Sequence, residues 1–179
     1  ILTGTSGDFL KPDGDRLDYV ERTGVATLIK EELAKGMRPI KCKKPYYDIN
    51  IVTLDQELDL MIINCYLPCN SRNKESGDRF RDAMNELNNI ISEAREKSPK
   101  RGLKILAMGD LNYCILGHKN DKKRTNLLRH TLEHIGGTYH VPDIPTHRSR
   151  AWENSDSYLD GIITEDGIKL DKLEILDEE

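Results

Sequence analysis

The chain has 179 residues, 27 basic and 31 acidic, for a net charge of −4. This length fits one domain, at roughly 150 residues per domain, and a chain of this size buries about 70% of its unfolded surface without a disulfide or metal staple. The acidic balance excludes a protein whose whole surface is a basic nucleic-acid clamp, but leaves room for a local basic groove.

Residues 1–23 are rich in Gly, Asp and Thr, lack a clear period, and read as a loop or irregular arm. The start at Ile1 is expected of a segment of something longer. Gly24–Ile29 reads as a strand. Tyr47 to Leu54 alternates, with Ile49 and Val52 among polar residues, and predicts a second. Leu58 to Tyr66 is nearly continuously apolar and predicts a buried strand, ended by Pro68. The polar turn Asp55-Gln56-Glu57 between these two fits an antiparallel hairpin.

Phe80, Met84, Leu87, Ile91 and Ala94 recur at spacings of four, three, four and three, the single apolar stripe of a helix. Leu103–Met108 predicts an interior strand. A basic segment (Lys119, Lys122, Lys123, Arg124) follows, then a second helix from about Lys123 to Ile135, ended by Gly136-Gly137. Thr138–Val141, Tyr158–Thr164 and Leu170–Leu176 are strand-like. Strands alternating with two helices, several joined by tight turns, predict a mixed rather than purely parallel α/β system.

The four cysteines (Cys42, Cys65, Cys69, Cys114) form no C-x-x-C pair, and Cys65 lies in an apolar run as a small core residue. This usage points to a reducing compartment, nuclear or cytoplasmic. No signal-peptide pattern or bilayer-spanning apolar stretch is present, so no membrane partner is expected.

Three polar features sit at strand ends. Asn64 and Tyr66, in Asn64-Cys65-Tyr66-Leu67-Pro68, share a face under period two. Asp110 and Asn112, in Gly109-Asp110-Leu111-Asn112, follow an interior strand, where ligands gather in open α/β sheets. An acid and an amide there hold a water, a metal or a phosphate, or Asp110 simply fixes a turn. Asp160 sits among apolar strand formers; buried, it needs a His or a cation as partner, and at an edge it faces water. Between them, Thr146-His147-Arg148-Ser149-Arg150-Ala151-Trp152 combines hydroxyl and guanidinium donors suited to phosphate oxygens, or is an ordinary polar loop.

Taken in order, Gly24-Val25-Ala26, Asn64-Cys65-Tyr66-Leu67-Pro68, Gly109-Asp110-Leu111-Asn112, Thr146-His147 and Ser157-Tyr158-Leu159-Asp160-Gly161-Ile162 resemble the endonuclease/exonuclease/phosphatase superfamily of metal-dependent phosphodiesterases. That superfamily includes apurinic-site endonucleases and the endonuclease domains of non-LTR retrotransposons, and the wording around Tyr66 and over 146–163 looks closest to the latter. The resemblance implies a DNase I-like two-sheet α/β sandwich with mixed strands and flanking helices, and a divalent-metal phosphodiesterase using Mg²⁺ or Mn²⁺ on DNA.

Carried over by position, Tyr66 would contact the scissile phosphate and Asp110 would orient or deprotonate the attacking water. Asn112 would help hold that water and the phosphate. Asp160 would support the active-site His and shape the polar floor. Thr146 resembles the small residue on the preceding strand. Asn64, Thr146, Arg148, Arg150, Lys122 and Lys123 are the candidate substrate-binding residues. The chemistry is consistent: phosphodiester hydrolysis needs a base near the water, a cation on the phosphoryl oxygens and donors for developing charge, and Mg²⁺ takes only one or two carboxylates.

Two departures bear on activity. Nothing before Gly24 matches the family's opening Asn or its Gln-Glu pair, whose Glu binds the metal, and the closing Ser-Asp-His motif is absent at Leu176-Asp177-Glu178-Glu179. Residues 1–179 are therefore expected to form a single domain that is partial at both ends, with weak or no cleavage, and to belong with further domains of a longer polyprotein. The metal ligands stay unassigned. His130 and His134, four apart on a helix, are either surface residues or metal ligands. The alternative function is a non-catalytic binding module on the same fold.

Overall fold

The computed structural model describes residues 2–6, 24–69, 74–98, 102–113, 122–146 and 158–171. Its elements run β1 (Leu2–Ser6), β2 (Gly24–Leu28), α1 (Glu31–Ala34), β3 (Arg38–Ile40), β4 (Tyr47–Thr53), β5 (Leu58–Tyr66), α2 (Lys74–Lys97), β6 (Gly102–Asp110), α3 (Lys122–Ile135), β7 (Gly137–His140) and β8 (Asp160–Glu165).

Along β5, buried and partly exposed residues alternate strictly, so Asp59, Met61, Ile63 and Cys65 share one face. Leu103, Ile105 and Ala107 of β6 continue that face, and α2 lays Phe80, Met84, Leu87, Ile91 and Ala94 on it. Each such Phe, Met, Leu or Ile side chain fully buried contributes about 1.5–3 kcal/mol. Leu128 and Ile135 of α3 complete the same core. The predicted helical stripe and both helices are therefore observed.

The main sheet has the order β3-β4-β5-β6-β8-β7, and β1 pairs with β2 as a separate antiparallel sheet. Only β5 and β6, joined through α2, are parallel; the other neighbours in the six-stranded sheet are antiparallel. The two-stranded sheet lies on the face away from α2 and α3. Asn64 Nδ2 on β5 donates to the Ala26 carbonyl on β2 at 2.8 Å, joining the two layers. Ile29, Ala34 and Val52 form a second small cluster.

Several expectations change. Part of the arm is a strand, because Leu2–Ser6 pairs with Gly24–Leu28. β4 is not half-buried: Tyr47 to Val52 are all buried, since helices cover one face and the small sheet approaches the other. The short α1 and β3 carry no periodic signal and were not anticipated. Leu170 and Asp171 are not in a strand, and 172–176 lie outside the described residues. No helix among the described residues is long and apolar enough to cross a membrane.

Candidate functional site

Register brings three of the sequence-predicted residues into one row. Tyr66 is opposite Asp110 across the parallel β5–β6 pair, and Asp110 is opposite Asp160 across the antiparallel β6–β8 pair. Directly opposed residues present side chains to the same face. Here it is the face away from the helices, at the carboxyl end of β5 and β6. Tyr66 is 39% exposed, Asp110 is half-buried and Asp160 is exposed.

Two glycines sit one residue inside this row and are themselves directly opposed, Gly109 to Gly161. Gly109 has φ +129°, and a Cβ there would lie 2.1 Å from the Cys65 carbonyl oxygen. Only glycine adopts that conformation at that approach without strain. A Cβ on Gly161 would lie 2.6 Å from the Tyr139 ring. The glycine next to each acid, before Asp110 and after Asp160, therefore belongs to the geometry that places the acid.

Beyond the row the chain turns sharply. Asp110 Oδ1 accepts the Asn112 backbone N–H at 2.7 Å, and Asn112 has φ +48°, the left-handed conformation that Asn tolerates. Asn112 Nδ2 donates to the Leu67 carbonyl at 2.7 Å. Asp110 thus fixes a turn and also keeps a place in the row; the two sequence readings of it are compatible. Thr146 Oγ1 accepts the backbone N–H groups of Leu159 and Asp160 at 3.0 and 3.1 Å, fastening the segment before β8 to its first residue.

Asp160 is not buried, so the expected buried partner is not required. It also does not lie on an edge strand, since β8 runs between β6 and β7; it reaches solvent because it is the first residue of its strand. His140 bonds Thr164 at 2.8 Å instead. Burial, followed by the charges of Asp110 and Asp160, pushes the Cys65 thiol up to about 12.

Lys122 and Lys123 are exposed on the first turn of α3. Arg124, part of the same basic segment, is 2% exposed. Its guanidinium lies 4.4 Å from the centroid of the Phe80 ring and donates to the carbonyls of Pro68 and Cys69 at 3.3 and 3.2 Å. With Asn112 on Leu67, three consecutive carbonyls after Tyr66 are held by side chains from elsewhere. A signal for this existed: Arg124 shares the buried face of α3 with Leu128, Thr131 and Ile135 at helical spacing. Arg148 and Arg150 lie outside the described residues, as do His147, Ser157 and Cys114.

His130 and His134 reach Asn88 and Ser92 of α2, so they join the two helices, and the described residues hold no group of three or more His, Cys, Asp or Glu able to bind a metal. A hydrated hard cation needs less. Two carboxylates opposed at an open strand end fit an ion whose remaining positions are filled by water and a phosphate. They do not fit a closed metal cage.

No protein-family model matches the chain, and no curated protein matches its sequence. Among solved structures, the endonuclease domain of TRAS1, a telomere-specific non-LTR retrotransposon, is similar with a TM-score of 0.55 and 16% identity over 92% of this chain and 67% of that domain. A β-hairpin deletion mutant of beta toxin from Staphylococcus aureus has a TM-score of 0.47 and 14% identity over 75% of this chain and 49% of its own. NExo, a 3′ phosphatase from Neisseria solved with a product DNA hairpin, has a TM-score of 0.49 and 11% identity over 74% of this chain and 58% of its own. The chain thus spans about half to two thirds of these proteins. The likeness to the TRAS1 domain shows the fold, a DNase I-like α/β sandwich with a mixed six-stranded sheet and flanking helices.

Proposed function

We propose that this domain is a divalent-metal-dependent phosphodiesterase acting on DNA. The observation that carries the reading is the row Tyr66–Asp110–Asp160 on three adjacent strands at one open end of the sheet. Tyr66 donates its phenol to a non-bridging oxygen of the scissile phosphate. The Asp110 carboxylate orients a water and takes its proton as the water oxygen bonds to phosphorus and the P–O bond to the leaving sugar oxygen breaks. Asn112 steadies the water and the phosphate. Asp160, exposed beside Asp110, is the carboxylate that would hold a hydrated Mg²⁺ or Mn²⁺, which when bound neutralises charge on the phosphoryl oxygens. Thr146 keeps Asp160 in position through the backbone, and Lys122 and Lys123 meet flanking phosphates, as Arg148 and Arg150 would.

Nicking of supercoiled plasmid with Mg²⁺ tests this. Asp110→Ala should lower the rate at least about 100-fold, the scale of losing a key catalytic group. Equal nicking by both proteins overturns the role of Asp110.

A second reading is a non-catalytic module of the same fold. It is favoured by Asn64 and Asn112, each of which spends an amide donor on a backbone carbonyl rather than leaving both for a phosphate. It expects Asp110→Asn to leave DNA affinity unchanged and Mg²⁺ to leave the Tm unchanged.

A further inference from the structure

The connection from β3 to β4 carries Lys41, Lys43 and Lys44, all exposed, in a chain that is acidic overall. This connection ends beside the row described above, because the Tyr46 carbonyl accepts the Tyr66 N–H at 2.9 Å. Chain reach puts the Lys44 Cα within about 7 Å of the Tyr46 Cα, and Lys41 follows Ile40, the partner of Ile49 on β4, so the connection folds back at this end of the sheet. The connection is also anchored from below: Glu86 on α2 accepts the Lys43 backbone N–H at 2.8 Å. The three lysines line a cleft of about 750 Å³ between the edge strand β3 and α2, on the helix side of the sheet edge that ends beside Tyr66.

Charges around this cleft are unevenly committed. Asp82 pairs with Arg81 at 3.3 Å, Glu93 with Lys97 at 3.2 Å, and Arg38 with Asp59 at 2.5 Å. Glu86 spends one carboxylate oxygen on the Lys43 backbone, so the five cations of the lining outnumber its three acids. Among the described residues, Lys41, Lys43 and Lys44 have no side-chain hydrogen bond or ion pair. Three uncommitted ammonium groups on a connection fixed at both Tyr46 and Lys43 leave a net positive track leading away from Tyr66.

We infer that Lys41, Lys43 and Lys44 form a phosphate-tracking arm that holds the backbone of duplex DNA flanking the scissile phosphate. This rests on the phosphodiesterase reading and deepens it. One strand advances about 3.4 Å of helix axis per phosphate, so lysines spaced along this connection meet phosphates one or two steps apart rather than a single one. The substrate this selects is polymeric; a small phosphomonoester in the row would not reach the arm. Lysine contacts to phosphate are sequence-blind, so the arm adds affinity and salt dependence rather than base preference.

The test measures binding of a fluorescein-labelled duplex by anisotropy in EDTA, across a range of KCl, so that no cleavage or metal enters the readout. Three proteins are compared: wild type, Lys41→Ala/Lys43→Ala/Lys44→Ala, and Lys30→Ala/Lys35→Ala/Lys169→Ala. The last removes the same charge from exposed lysines. Lys30 and Lys35 flank α1, at the Thr53 end of β4, and Lys169 follows the Glu165 end of β8, both away from Tyr66. The arm variant should bind at least roughly tenfold more weakly at moderate salt, and its plot of log K against log[KCl] should be shallower by about 2 to 3 units. The control variant should keep the wild-type slope and bind within about twofold. Equal losses in both variants, or none in the arm variant, overturn the arm. If wild type nicks plasmid while the arm variant binds like wild type, the arm falls and the catalytic reading stands. If wild type neither binds nor nicks, both fall.

Discussion

Asp110 and Asp160 stand directly opposite each other on antiparallel neighbours, with Asp160 open to solvent. Like charges so placed repel, by up to about 1 kcal/mol at a cross-strand position and less where water screens them. Asp160→Asn should therefore raise the Tm slightly in EDTA. Millimolar Mg²⁺ should raise the Tm of wild type and have little effect on the variant. Scanning fluorimetry in the two buffers reads both effects, and an equal Mg²⁺ gain in both proteins removes Asp160 from the ion.

Gly109 and Gly161 face each other but meet different obstacles, so their alanine variants should differ in whether they can be rescued. At Gly109 the obstacle is the Cys65 backbone carbonyl and the φ is positive. Gly109→Ala should cost about 3 kcal/mol or more by urea unfolding, and Cys65→Ala should not restore it. At Gly161 the obstacle is the Tyr139 ring. Gly161→Ala should regain much of its loss when combined with Tyr139→Ala, a coupling that a double-mutant cycle measures.

Arg124 satisfies two carbonyls from a buried position against Phe80. Arg124→Met should destabilise by about 2–3 kcal/mol, because those acceptors lose a charged donor. Arg124→Lys should recover little of this, since one ammonium lacks the guanidinium fork. Guanidine hydrochloride would mask the contact, so urea is the denaturant to use.

Burial pushes the Cys65 thiol up to about 12 and the Cys42 thiol up to about 11, from an ordinary 9.0. Tyr47, also buried, is raised well above 10. In each case the unfolded chain releases its proton at a lower pH than the folded one. Stability is thus fully present below pH 9.0 and falls as pH rises toward 12. The slope for one such thiol approaches about 1.4 kcal/mol per pH unit. Cys65→Ala should flatten this alkaline limb of a Tm-against-pH curve; an unchanged limb would remove Cys65 as its source.

The parts of this fold most legible in the sequence were those with a strong period: the α2 stripe, the apolar run of β5 and the strand leading to Gly109-Asp110. Three features were hidden for separate reasons. β4 carries Asp48 and Asn50 in buried positions, so its polar residues imitate a solvent face; Asn50 in fact donates to Asp48 at 3.2 Å. Arg124 looked like one more cation in a basic run, and only its place on the buried face of α3 marks it out. Lys41, Lys43 and Lys44 carried no signal, because their position depends on the Tyr46–Tyr66 bond between distant parts of the chain. The row itself was legible as a set of residues but not as a register, since pairing of β6 with β8 skips over α3 and β7.

Among the described strands β5 and β6 form the one parallel pair, and it makes the placement of Tyr66 beside Asp110 depend on the helix between them. Tyr66 and Asp110 lie at the two ends of a β5–α2–β6 excursion, and closing it is entropically costly until Phe80, Leu87 and Ile91 have docked. Until α2 docks, Tyr66 and Asp110 are far apart along the chain with nothing to hold them side by side.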